Sequence, residues 1–128
     1  MPYDMFMGTF PIMLNIRDRQ AVVVGGGPVG VRKVRSLLEA GAKVRLVARR
    51  TNPQVQQLQQ VGVDLRIEDY RPQLLEGALL VFACTDDRDL NALIARDARQ
   101  AGALVNAADQ PEDEADAFGS PSCFWVAF

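Results

Sequence analysis

Gly25, Gly27 and Gly30 stand at the spacing G-x-G-x-x-G, directly after the apolar run Val22-Val23-Val24 and directly before a helical pattern. In that strand–turn–helix setting the spacing is the fingerprint of a dinucleotide-binding turn. Each glycine has its own task. The first allows the tight turn, the second lets the backbone approach a pyrophosphate, and the third lets the helix pack closely on its strand. The free amides and the positive end of the helix dipole then form an anion site. Glycine turns in α/β proteins can also be purely structural, so the rest of the chain has to supply the cofactor's other contacts.

At the end of the next strand, where an acid commonly reads the adenosine ribose of NAD, this chain has Ala48-Arg49-Arg50. Arginines there can hold a 2′-phosphate or stack on adenine, which leans the residues alone towards NADP; a solvated basic pair is the alternative. Further on, Thr85 can hydrogen-bond at the nicotinamide end, whereas Asp86 and Asp87 read better as helix caps. Asp109 is the candidate for chemistry. There is no histidine, so proton transfer falls to a carboxylate, Lys, Tyr or Cys, and a partly desolvated aspartate can serve as general base. The alternative is a loop aspartate held by backbone donors. Asn106 can orient Asp109 or the cofactor, or simply form a turn. Arg32 and Lys33, early in the first helix, read as solvated side chains that could meet an anionic substrate.

Positioning these residues takes an alternation of strands and helices. Phe10 to Ile16 is an extended lead-in, turned by Arg17-Asp18-Arg19 into a first strand at Ala21 to Val24. Val31, Val34, Leu37 and Leu38 give the next helix its apolar face, with Gly41 as its stop. Val44, Leu46 and Val47 form the second strand. Thr51 or Asn52 caps a helix with Pro53 at its first position and Val55 and Leu58 inward. Val63, Leu65 and Ile67 alternate as a third strand, and a turn over Pro72 to Glu76 leads to the buried run Leu79 to Ala83. Asp87 or Asp89 then caps a helix whose Leu90, Leu93, Ile94 and Ala98 share a face, Gly102 ends it, and Ala103 to Ala107 is a fifth strand. Right-handed crossovers predict a Rossmann-type, doubly wound parallel sheet in the order 3-2-1-4-5. Ligands bind beyond the carboxyl ends of such strands, so Gly25–Gly30, Thr85–Asp87 and Asn106–Asp109 should meet at one crevice.

The 128 residues suit one α/β domain. A net charge of −2 argues against nucleic acid as the main partner. No apolar run approaches the roughly 20 residues that cross a bilayer, and Met1 to Thr9 lacks the basic start of a secretory signal, which together point to the cytoplasm. Cys84 and Cys123 form no zinc pattern, and Cys84, at the end of an apolar run, reads as a reduced, sheltered thiol.

Across most of its length the sequence resembles the NAD-dependent precorrin-2 dehydrogenase module of sirohaem synthases. The resemblance rests on Phe10-Pro11-Ile12 with Leu14, on Val23 to Val29 followed by Arg32-Lys33, and on Leu37 to Ala42. It continues through Ala83 to Asp87, Leu90-Asn91, Val105 to Asp109, and Phe118 with Pro121 and Ser122. It implies NAD as cofactor, with contacts on the turn Gly25, Gly26, Gly27 and Gly30, on Pro28 and Val29, and on Arg49 and Arg50. It also implies a tetrapyrrole substrate, a homodimer and Asp109 as the catalytic residue; some members insert iron as well. Family members continue beyond this point, whereas this chain ends at Phe128. The expectation is therefore a cofactor-binding fragment or a shortened protein, with residues 109–128 opening the dimerisation and substrate region. Asp113 to Ala117 is more acidic than the family pattern, and the apolar ending Phe124 to Phe128 is expected to pack in a dimer or on the sheet. Two rivals stand beside this reading. One is a non-catalytic dinucleotide-binding sensor or scaffold; the other, resting on Arg49 and Arg50, is an NADP-dependent reductase.

Overall fold

The computed structural model describes residues 10–107. Five parallel strands form its sheet: β1 (Gln20–Val24), β2 (Lys43–Ala48), β3 (Asp64–Ile67), β4 (Leu80–Ala83) and β5 (Leu104–Ala107). Their order is β3-β2-β1-β4-β5, as the crossover rule requires. Three helices connect them, α1 (Pro28–Glu39), α2 (Pro53–Gln60) and α3 (Arg88–Gln100), and a 3₁₀ turn at Pro72–Leu75 carries the chain from β3 to β4.

Side-chain alternation along the strands divides the interior into two layers. Ala21, Val23, Val44, Leu46, Leu80 and Phe82 face α1 and α2, which contribute Val31, Val34, Leu37, Val55 and Leu58. Val22, Val24, Val47, Val81, Ala83 and Val105 face α3 and the 3₁₀ turn, which contribute Ile94, Ala95, Ala98, Leu74 and Leu75. Both faces of the central strands are therefore covered, which explains their continuous apolar runs. The lead-in from Phe10 to Ile16 is irregular and mostly exposed, and the chain turns into β1 with Asp18 at positive φ.

Polar contacts fasten the outer elements. Arg45 on β2 bonds Asp64 on β3 through Nε at 3.0 Å and the Leu74 carbonyl through Nη1 at 2.9 Å. The Arg66 hydrogen bond holds the Asp64 carboxyl below its ordinary range against the opposing effect of burial, and Arg45 adds to the lowering. Tyr70 donates to Asp97 Oδ2 on α3 at 2.8 Å. Burial foremost, then that carboxylate, pushes the phenol well above its ordinary range.

Three local expectations need correction. Leu93 does not share the buried face of α3: it is 37% exposed, and the inward positions are Asn91, Ile94, Ala95 and Ala98. Ile67 lies exposed at the open end of the edge strand, although Val63, on the same alternation, is buried. Lys33 is not a solvated side chain. It falls one turn after Gly30 and one before Leu37, on the sheet-facing side of α1, and is buried with Nζ 5.6 Å from the Phe82 ring centroid. Its aliphatic stem makes that burial tolerable. Arg32, by contrast, is exposed.

Leu46 is fully buried in the layer shared with α1 and α2. Leu46→Ala should lower stability by roughly 2–5 kcal/mol in urea denaturation; a loss below about 1 kcal/mol would contradict this packing.

Candidate functional site

The strands end together at one edge, and the glycine turn is fixed there by its neighbours. Gly25 donates from its amide to the Val47 carbonyl at 2.8 Å, and the Cys84 amide donates to the Val24 carbonyl at 2.8 Å. The turn thus passes tightly over the end of β4. A Cβ on Gly25 would lie 2.5 Å from the Cys84 carbonyl oxygen, and its φ of +124° disfavours any other residue. A Cβ on Gly30 would collide with the Gly25 carbonyl, so α1 sits directly against the turn. Gly26 faces the second loop, where a Cβ would come 2.9 Å from the Ala48 Cβ.

Gly27 differs from all three. Among the described residues a Cβ there would meet no atom within 4 Å, and its backbone is extended with negative φ. Among the described residues no packing contact requires glycine at this position, whereas a group approaching the backbone closely would. Gly27 is also the N-cap of α1, without a side-chain cap and without an acidic residue in the first turn. Pro28 carries no amide proton, and the first-turn amides of Val29 and Gly30 precede the helix's own ladder, which opens with the Val31 amide on the Gly27 carbonyl at 2.9 Å. An open cradle with free donors and a positive helix end fits the pyrophosphate of a dinucleotide.

Two asparagines hold the flanking loops. Asn52, rather than Thr51, caps α2: its Oδ1 accepts from the Val55 amide at 2.9 Å, and its Nδ2 donates to the Gly26 carbonyl at 3.1 Å. One side chain therefore starts a helix and braces the glycine turn. Asn91, fully buried on α3, grips the loop after β4. Its Oδ1 accepts from the Thr85 amide at 3.1 Å and the Thr85 hydroxyl at 2.6 Å, and its Nδ2 donates to the Thr85 carbonyl at 2.9 Å. The Asp87 amide donates to Thr85 Oγ1 at 3.2 Å, and Asp87 caps α3 through the Asp89 and Leu90 amides. The Thr85 hydroxyl is thus engaged in shaping its own loop. Sequence spacing named Asn52 only as a possible cap and missed the bracing roles of both asparagines; for Asn91 the signal was a polar residue where an apolar face should continue.

Among the expected contacts, Gly27, Pro28 and Val29 are exposed at the mouth of the crevice, Gly25, Gly26 and Thr85 are half-buried, and Gly30 is buried. Arg49 and Arg50 are exposed beyond β2, with Arg49 Nε 3.0 Å from Asp69 Oδ1. Asn106 is buried on β5 in register with Phe82. Asp109 and the Phe124–Phe128 ending lie outside the described residues. Cys84, a free cysteine, is half-buried beneath the turn. Burial pushes its thiol up to about 11, against the lowering influence of Lys33 and Arg32.

Among known proteins, the model of a family described as "Putative NAD(P)-binding" matches residues 12–120. The siroheme synthase of Nitrosomonas eutropha is 40% identical over 108 residues, spanning 83% of this chain and 23% of that protein. The siroheme synthase of Chromobacterium violaceum is 41% identical over 107 residues, with the same coverage of each. The chain thus spans less than a quarter of the length of these relatives. Two solved structures share the fold. The precorrin-2 dehydrogenase SirC superposes with a TM-score of 0.61 at 21% identity, over 67% of this chain and 44% of its own. The apo D-lactate dehydrogenase of Escherichia coli gives 0.57 at 16% identity, over 80% and 33%.

Gly25 and Gly27 should respond differently to substitution. Gly25→Ala should cost at least the roughly 1–3 kcal/mol of a strained backbone conformation. Gly27→Ala should change stability by less than about 1 kcal/mol, yet weaken NAD at least tenfold in calorimetric titration. Equal stability losses at both positions would contradict the distinction. With Cys123 replaced by Ser, Cys84 should alkylate far more slowly at pH 8 than a free thiol. Because the folded thiol holds its proton more tightly than the unfolded one, its contribution to stability is present below about pH 9 and lost as pH rises towards 11.

Proposed function

The chain belongs to this NAD(P)-binding family, and from that premise we propose that it is the cofactor-binding module of a precorrin-2 dehydrogenase in sirohaem synthesis, using NAD. The observation that carries the proposal is the cradle at Gly27, open to solvent between a turn and a helix start that close packing holds fixed. The siroheme synthases, similar over 83% of the chain, support the substrate class that the resemblance implies, a tetrapyrrole bearing many carboxylates.

When bound, the nicotinamide supplies the acceptor for a hydride leaving precorrin-2. The chain's own residues do the rest. The Val29 and Gly30 amides would hold the dinucleotide's pyrophosphate at the positive end of α1. Asn52 keeps the turn at its working height by bonding the Gly26 carbonyl. Arg49 and Arg50 border the adenosine end, and the loop that Asn91 locks around Thr85 shapes the nicotinamide end. Asp109 accepts the proton lost with the hydride, which balances the oxidation to sirohydrochlorin. Exposed Arg32 offers a cation to the substrate's carboxylates. A homodimer in the cytoplasm, with residues 109–128 opening its substrate region, belongs to the same reading. Iron insertion in the same region, which some members of the resembled family perform, belongs to this reading as a further activity with no residue assigned to it.

The test is NAD-dependent oxidation of precorrin-2, followed by absorbance, for the chain and for Asp109→Asn. Turnover should fall by roughly 10²–10⁴ in the variant, while NAD affinity stays within twofold. NAD binding without turnover in the unmodified chain would favour a dinucleotide-binding module that catalyses nothing alone.

A further inference from the structure

The end of β2 lacks the carboxylate that commonly reads an adenosine ribose, yet a carboxylate reaches that place from another strand. Ala48 and Ile67 are register partners at the ends of β2 and β3. The Glu68 amide donates to the Ala48 carbonyl at 3.0 Å, stitching the chain leaving β3 to the last residue of β2. Asp69 follows directly, and its Oδ1 lies 3.0 Å from Nε of Arg49, the first residue beyond β2. The loop that begins with Arg49 borders the glycine turn further along. The Arg50 carbonyl lies 3.8 Å from where a Gly26 Cβ would project, and Asn52 of the same loop holds the Gly26 carbonyl.

We propose that Asp69, delivered from the end of β3 and held by Arg49, accepts the 2′-hydroxyl of the adenosine ribose and makes the site prefer NAD to NADP. The inference rests on the dinucleotide reading above and deepens it. A ribose hydroxyl needs an acceptor, and a carboxylate is the strongest one a side chain offers. A 2′-phosphate in the same place meets two obstacles. Asp69 repels its charge, and it offsets the charge of Arg49, the natural partner for a phosphate. The basic run Arg49-Arg50, which by itself points to NADP, is thereby read in the opposite sense. Both side chains of the pair are largely exposed, 77% for Arg49 and 84% for Asp69. An ion pair that open adds little to stability, so removing it leaves the fold intact.

The experiment is calorimetric titration of the 128-residue chain with NAD and with NADP, for the unmodified protein, Asp69→Ala and Asp69→Asn, with thermal melts as a folding control. The unmodified chain should favour NAD. In Asp69→Ala the ratio of the two dissociation constants should move towards NADP by about tenfold, as expected for removing one charge near a phosphate. Asp69→Asn, which keeps a hydrogen-bonding side chain without the charge, should fall between the two. Melting temperatures should stay the same. A ratio within twofold of the unmodified chain in both variants, with both dinucleotides still binding, overturns this inference alone, as does an unmodified chain that favours NADP. Binding of neither dinucleotide by the unmodified chain overturns the parent reading and this inference with it.

Discussion

The site depends on how closely the turn after β1 passes over the end of β4. These strands are parallel neighbours, with Val24 opposite Ala83. The turn cannot lift away, because the Gly25 amide is tied to the Val47 carbonyl on one side and the Cys84 amide is tied to Val24 on the other. Only a residue without a Cβ fits the gap above the Cys84 carbonyl. The start of α1 in turn presses on the Gly25 carbonyl through Gly30. The helix's positive end is thereby fixed just beyond the strand ends, and Gly27 is left facing open space. Two contacts set the cradle's walls, and among the described residues no third closes it.

The flanks of the crevice divide labour between amides and charges. The buried polar work is done by neutral side chains: Asn91 satisfies all three hydrogen-bonding groups of Thr85, and Asn52 joins α2 to the turn. Buried polar groups are tolerable only when paired, and no buried side-chain nitrogen or oxygen is left without a partner among the described residues. Arg32, Arg49, Arg50 and Asp69 remain at the surface. Lys33 is the exception, a cation drawn under α1 against Phe82 of β4 and close enough to Cys84 to oppose its upward shift.

Much of this architecture was legible in the sequence, for identifiable reasons. Val22–Val24 and Leu79–Ala83 are apolar throughout because both faces of β1 and β4 are covered. The switch to helical spacing after Gly27 and after Asp87 fixes where the crossovers lie, and their handedness then fixes the strand order. The harder features depend on contacts between distant parts of the chain. The burial of Lys33 follows from the presence of Phe82, 49 positions away in sequence. Leu93 lies on the exposed side while Asn91 takes an inward place that hydrophobicity alone would never assign. Ile67 alternates correctly with Val63, but its strand lies at the edge of the sheet. The pairing of Arg49 with Asp69 needs the β2–β3 register before it can be seen. The glycines were visible as a spacing, but which of them serves the protein's own packing and which faces open space required the backbone around them.

The most direct test of the account is an amide nuclear magnetic resonance titration of the isotope-labelled chain with NAD. The account predicts that the largest shifts fall on the amides of Gly26, Gly27, Val29 and Gly30, with smaller ones at Arg49, Arg50 and Thr85. The opposite edge of the sheet, around Gln20, Lys43 and Leu80, should stay still. Shifts centred on that opposite edge, or none at saturating NAD, would contradict the claim that the glycine turn is built to receive a dinucleotide.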